Sequence, residues 1–489
     1  MLDKKFNTNY TIGVDSVVRA ISGKSRGQKS LFKQAEEYFQ NEPENKRKLQ
    51  ELTEQVTTLQ KELDATPLFK FKPKIKLLKL EKLEKELNNE QLVQNKARLV
   101  RLHSAIDVCL KILSLTEGAD FDETQLKSAK YLSTILLFSP GEGKRLAELH
   151  QSLKPSYRAV LSLRLLDKLL MGKGIKNAHI LAYYDPQTRY EIGKPDSVCF
   201  TQSIVLPIMF AAIFQEVGLQ HPKLTVLLEG LQGDQDRYRT LDKDERVKVT
   251  KLTNKFTLEY LQEGLGIQQG IIGTAEDKKA FLEAENKRIQ FQLNLVKDAS
   301  STKVGTSEII RIPQIYSSII FSTKREFSKS TLPNASVLIA QLASKNKISS
   351  QVANAFISIV GKFPMGYGVV YLPKDMRGIE LNHYEYAIVI GLNPAKLDEP
   401  NCRLVSRNLL FSEYGKNEVI ETSRNMHYET ARKKLKRVDP KKLLQIRQTL
   451  THKFDPKKAQ QLIPLYWEGY NYFIVEGYQN LWNQVAQEE

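Results

Sequence analysis

At 489 residues, with 41% hydrophobic and 26% charged side chains, the chain has a globular composition that excludes a disordered tail and calls for two or three domain-sized cores. A net charge of +17 suits an anionic partner, whether nucleic acid, lipid or nucleotide, but also serves plain solubility. Cys109, Cys199 and Cys402 are far apart and show no CxxC spacing, which excludes a disulfide framework and a cysteine zinc site.

The first thirty residues carry lysines but no apolar core and no lipidation pattern, so no export signal is expected and the cytoplasm is the expected compartment. From Ala35 to Ala65 the sequence is helical, and Leu49, Leu52, Val56, Leu59 and Leu63 alternate at spacings of three and four, the seam of a coiled coil. Pro67 and Pro73 interrupt it. A second helical stretch follows, with Leu77, Leu80, Leu83 and Leu87 amid Lys and Glu. Residues 1–95 therefore read as a helical arm, either an antiparallel hairpin folded on its own chain or a coiled coil that makes a homodimer. In the segment 69–82, Lys70, Lys72, Lys74, Lys76, Lys79 and Lys82 intersperse apolar residues. Contact with a membrane surface or nucleic acid is one reading; a solvated helix face is favoured, because the apolar residues after Pro73 continue at helical spacing.

Residues 96–175 continue as a helical domain. The PGEGKR loop at 140–145 is no phosphate loop, since Arg145 stands where Ser or Thr would bind magnesium. Residues 176–200, with DPQT and GKPD turn signals, read as a linker. The longest strongly apolar run, Ile204 to Phe214, contains Pro207 and is shorter than a bilayer span, so a buried helix is predicted and no transmembrane segment. Helices are expected from 201 to Gly361. Two β-branched and aromatic runs, FPMGYGVVYLP and YEYAIVIGLNP, then predict a β-hairpin. Residues 396–489 read as a basic helical extension, with RKKLKR at 432–437 and a closing aromatic helix whose Tyr466, Tyr470, Phe473 and Tyr478 face a core rather than stack on bases. The fold class is mainly α.

The stretch 201–395 carries a family pattern. TQSIVLPIMFAAIFQEVGL, LTVLLEGLQGD, LDKDERVKVTKLTNKFTLEYL, EIIRIPQIYSSIIFSTKREF and ISSQVANAFISIVGKFPMGYGVVYLP occur in an order and spacing that resemble the HD-GYP domain, the helical phosphodiesterase domain of bacterial cyclic di-GMP signalling. The resemblance covers some 200 of the 489 residues. It implies a helical bundle closed by a hairpin, and an active site of two or three metal ions on His and Asp side chains that generate hydroxide. Each ligand place can be checked. Gln202 stands at the opening His, Glu229 and Gly230 at the His-Asp pair, Thr253 or a neighbour at a later ligand His, and Ser317 at the bridging Asp. No His-Asp dipeptide and no Gly-Tyr-Pro tripeptide occurs, and the seven histidines are scattered.

The resemblance therefore implies a catalytically inactive relative, a regulatory or scaffolding protein of bacterial signalling with no cofactor and no metal. Cyclic di-GMP or another anionic ligand is an expected partner, with Arg311, Lys324 and Arg325 as candidate binding residues, and so is a second protein. Two alternatives stay open: an active phosphodiesterase with an altered ligand set drawn from Glu229, Asp234, Asp236 or Asp298, and a protein that binds nucleic acid or a membrane surface through 69–82 and the basic tail.

Overall fold

The computed structural model describes residues 7–23, 29–65, 74–143, 145–191, 195–269, 273–301, 304–450 and 462–482. It is mainly helical with a small antiparallel sheet. The helices of the first half are α1 Asn9–Ser22, α2 Leu31–Asp64, α3 Lys74–Thr116, α4 Phe121–Leu137, α5 Leu146–Met171, α6 Ala178–Tyr183, α7 Pro195–Phe200 and α8 Leu206–Ile213, the last two joined by a π-turn at Thr201–Val205. Then come α9 Pro222–Glu229, α10 Lys243–Glu259, α11 Ala275–Ala299, α12 Glu308–Ile320, α13 Asn334–Ser344 and α14 Ser350–Val360. The strands are β1 Gly368–Tyr371, β2 Glu385–Val389, β3 Asn401–Leu404, β4 Ser406–Arg407, β5 Leu410–Phe411 and β6 Asn417–Val419, followed by α15 Glu429–Leu435, α16 Pro440–Leu450 and α17 Gly469–Phe473.

The chain divides into two units. The larger is built from Met1–Gly23, Cys109–Ile213 and Asn294–Glu489, the smaller from Lys24–Val108 and Phe214–Leu293. The boundaries expected from sequence do not follow this division. Residues 201–395 are shared between the units, and the arm 1–95 gives its first helix to the larger one. Sequence periodicity marks where helices lie, but not which distant helices pack together.

In the smaller unit α2 and the first part of α3 form the antiparallel hairpin. Leu59 and Leu63 pack against Leu80 and Leu83, with Leu52 and Val56 at the edge. Glu62 meets Lys76 at 2.8 Å, Glu90 meets Lys48, and the Gln94 amide donates to the Asn45 carbonyl, a set of partners running in opposite directions along the two helices. The seam is thus filled within one chain. Residues 69–73 lie outside the described residues; Lys74, Lys76, Lys79 and Lys82 stand on the exposed face of α3. At the other end of α2, Tyr38 and Phe39 join Phe256, Tyr260 and His221 in an aromatic core. Two α3 arginines close the turn after α10: Arg98 donates to the carbonyls of Leu265 and Ile267, and Arg101 to that of Gly264. Cations at a helix C-terminus satisfy carbonyls that have no partner within the helix.

In the larger unit α5 is the central helix, buried from Leu153 to Asp167 and packed by α8 and α12. Its Arg158, almost wholly buried, donates to the carbonyls of Ala212 and Ile213 at the end of α8. The helical run Pro195–Ile213 is long and apolar enough to cross a membrane, yet Ile204 through Ile213 are all buried inside this unit. Beside it lies a buried charge network in which Arg164 and Arg189 each bind both Glu117 and Asp167 at 2.7–3.1 Å. Burial pushes the Glu117 carboxyl up, but Arg189 and Arg164 outweigh it and hold the group down at about 2.

The expected hairpin β1–β2 is half of a four-stranded antiparallel sheet of order β1-β2-β3-β6, with β4–β5 a separate pair. The helical extension predicted from 396 onward is corrected here: β3 to β6 lie within it. These strands are only two to four residues long and carry Asn401, Arg403, Asn417 and Glu418, so they show no apolar alternation. Likewise the aromatic tail is not one helix. Gly469 begins the five-residue α17, and Gly477 at φ +93° ends any continuation. Its rings are core as expected: Trp467 stacks on Tyr386 with centroids 4.6 Å apart and donates its indole N–H to the Ala387 carbonyl. Residues 176–200, read as a linker, hold α6 and α7 and the buried Arg189. Between α14 and β1 the FPMG turn lies on α4. Gly366 has φ +83°, and a Cβ there would come within 2.6 Å of the Ser133 carbonyl, so only glycine fits.

Candidate functional site

The five positions at which the family resemblance calls for metal ligands fall in both units. Gln202, in the π-turn of the larger unit, is exposed. Ser317 on α12 is fully buried beside Tyr316 and Ile320, and its hydroxyl donates back to the Gln314 carbonyl of its own helix at 3.1 Å. In the smaller unit Glu229 ends α9 and is held by Arg237 at 2.7 Å. Gly230 turns the chain at φ +79°. Thr253 is buried on α10, and a Cβ on Gly218 would come within 2.2 Å of its carbonyl, so the two backbones are in close approach. Four of the five thus serve helix packing, an ion pair or a turn, and neither unit contains the whole set.

The other carboxylates considered are dispersed as well. Asp234 and Asp236 lie in the turn after α9, where the Asp236 carboxylate accepts from the Tyr238 amide, and Asp298 is near the end of α11. Among the described residues one carboxylate triad converges elsewhere: Glu42, Glu259 and Glu263 of the smaller unit, with ligand atoms within 4.8 Å of one another. A cation already fills it. Lys46 contacts Glu42, lies 2.8 Å from Glu263 and 3.7 Å from Glu259. Burial works against the ammonium, and the carboxylates outweigh it and push its pKa up. The pairs Glu42–Lys46 and Glu259–Glu263 are visible as i,i+4 spacings, but their meeting is tertiary and was not legible.

Two of the histidines take structural places. His221 caps α9, its Nδ1 accepting from the Lys223 amide, and its ring stacks on Phe256 at 3.5 Å. Burial, then the charges of Lys223 and Lys255, lower its pKa to about 4. His150 is fully buried on α5. Its Nδ1–H donates to the Ser322 carbonyl at 2.6 Å, which leaves Nε2 to accept from the Ser139 hydroxyl at 2.7 Å. The Lys329 ammonium sits beside this pair, bound to the Ser139 carbonyl and to Glu468.

The candidate binding residues are cationic. Arg311 is half-buried in the first half of α12, while Lys324 and Arg325 are exposed in the connection after it, separated along the chain by the rest of that helix. A denser group stands on α15 and α16. Their apolar stripe, Ala431, Leu435, Leu443, Ile446 and Leu450, is buried, so the basic residues between face outward. Lys433, Lys434, Arg437 and Lys442, with Asn382, Val438 and Asp439, line a cleft of about 660 Å³. Lys434 binds Glu380 at 2.6 Å, whereas the Arg437 and Lys442 side chains have no partner among the described residues. The RKKLKR run made the charge legible. The cleft required knowing that 382 returns to it.

No family model, no curated protein and no solved structure matches this chain.

Proposed function

We propose that the chain is a non-catalytic regulatory or scaffolding protein, HD-GYP-like in its region 201–395, that binds a phosphate-bearing ligand instead of hydrolysing it. The observation that carries this reading is the state of the five ligand places: an exposed amide at Gln202, a hydroxyl returned to its own helix at Ser317, a carboxylate taken by Arg237 at Glu229, no side chain at Gly230 and a packed threonine at Thr253. Hydrolysis of a phosphodiester by that family's route needs imidazoles and carboxylates gathered on one ion, and these five places offer no imidazole and one carboxylate, which Arg237 already holds. The net charge of +17 and the guanidinium and ammonium of Arg437 and Lys442, which have no partner among the described residues, support an anionic ligand.

Metal content of the purified chain and turnover of cyclic di-GMP in manganese test the catalytic half of this reading. The expected result is sub-stoichiometric metal and no linear dinucleotide product, with titration calorimetry reporting whether cyclic di-GMP binds intact. One equivalent or more of tightly held metal together with turnover would establish the enzyme with an altered ligand set in its place.

A further inference from the structure

The loop between β1 and β2 is a closed turn. Its rung is the bridge between Lys374 and Glu380, and inside it the Asp375 carboxylate accepts from the amides of Arg377 and Ile379 while Gly378 takes φ +79°. This rigid tip presents Met376, fully exposed, and Ile379, 60% exposed. A turn of this kind is normally closed by polar residues. The tip is also tied to the basic cleft, since Glu380 holds Lys434 at 2.6 Å and Asn382 lines the cleft wall. Arg377 and Met376 therefore stand three and four residues from Glu380, the point at which the loop meets the cations of α15 and α16.

From this juxtaposition we infer that the β1–β2 tip and the α15–α16 cleft form a docking surface for an anionic lipid bilayer, with Met376 and Ile379 entering the interfacial layer and Lys433, Arg437 and Lys442 meeting lipid phosphates. Two observations separate a bilayer from other polyanions. Fully exposed apolar side chains gain nothing against a phosphodiester backbone but gain transfer energy at a lipid interface. Among the described residues no aromatic side chain lines the cleft, so they offer no platform on which bases could stack.

The test is co-sedimentation of the full chain with phosphatidylcholine vesicles, with and without about 30% phosphatidylglycerol, at about 0.1 M and about 0.5 M salt. The chain is expected to pellet with the anionic vesicles alone and to be released by the higher salt. Arg437→Gln with Lys442→Gln should weaken binding about 25-fold, at about fivefold per charge near the surface. Met376→Ser with Ile379→Ser should weaken it about tenfold while leaving the salt dependence in place. All four side chains are exposed, so thermal melts should match the parent; should one pair fail to fold, the other still decides. Binding to anionic vesicles that neither pair changes would overturn the inference. So would binding of inorganic pyrophosphate or duplex DNA, lost in the Arg437/Lys442 pair, without vesicle binding.

Discussion

His150 ties the stability of the larger unit to pH. It is neutral in the folded chain because burial disfavours the imidazolium and the charges of Lys329 and Lys154 add to that, the bond to the Ser322 carbonyl opposing them only in part; its pKa falls from 6.5 to about 4. A group whose folded pKa is depressed contributes its stability in full above the unfolded value, and loses it as pH falls through the window from 6.5 to about 4. At about 1.4 kcal/mol per unit the whole shift is worth about 3 kcal/mol, of which about 2 kcal/mol is lost between about pH 7.5 and about pH 5. His150→Gln keeps an amide donor for Ser322 and an acceptor for Ser139 but does not titrate. Urea unfolding should be followed by indole fluorescence, since both tryptophans, Trp467 and Trp482, belong to the larger unit. The parent should lose about 2 kcal/mol more than His150→Gln between the two pH values. His427, also lowered to about 4, contributes to both proteins and cancels in the difference. Parallel losses in parent and variant would show that His150 does not sit neutral against Ser139 and Ser322, and would refute the reasoning.

Two substitutions probe the packing more directly. Glu117→Gln leaves Arg164 and Arg189 buried with Asp167 as their one remaining carboxylate, and unfolding by urea should show a loss of about 3–5 kcal/mol, more than any exposed ion pair of this chain would yield. Gly366→Ala places a methyl against the Ser133 carbonyl at a positive φ; a thermal melt should show a loss of about 1–3 kcal/mol, and an unchanged melting temperature would mean that the FPMG turn does not rest on α4 as described.

The leucine seam of the arm was legible because a spacing of three and four leaves no other use for Leu59, Leu63, Leu80 and Leu83, whereas periodicity is silent on whether that seam closes on one chain or two. The helical character of 96–175 and the burial of Ile204–Ile213 followed from apolar density in the same way. Strands β3 to β6 were not legible. Strand patterning appears only when one face is apolar and the other polar, and in these short strands Arg403 and Glu418 are engaged in hydrogen bonds and ion pairs to Asn417 and Arg424. Of the candidate residues, those at 202, 229, 230, 253 and 317 were singled out only by the resemblance, and their structural employment is visible only in the fold. The lysine-filled triad at Glu42, Glu259 and Glu263 joins residues more than two hundred positions apart, which no local pattern marks.

The first and last described segments of the chain meet: the Thr11 hydroxyl on α1 donates to the Gln479 side chain at 3.0 Å, across 468 residues. In a growing chain that partner does not yet exist. At about 5–20 residues per second, α1 waits roughly half a minute to a minute and a half for the segment that completes its surroundings. During that time β1 also lacks Trp467, whose carbonyl lies so near Gly368 that a Cβ there would come within 2.1 Å. The larger unit is thus completed by residues 467–479, and its nascent form before they emerge holds an uncovered strand and an uncovered helix, the kind of surface that chaperones recognise.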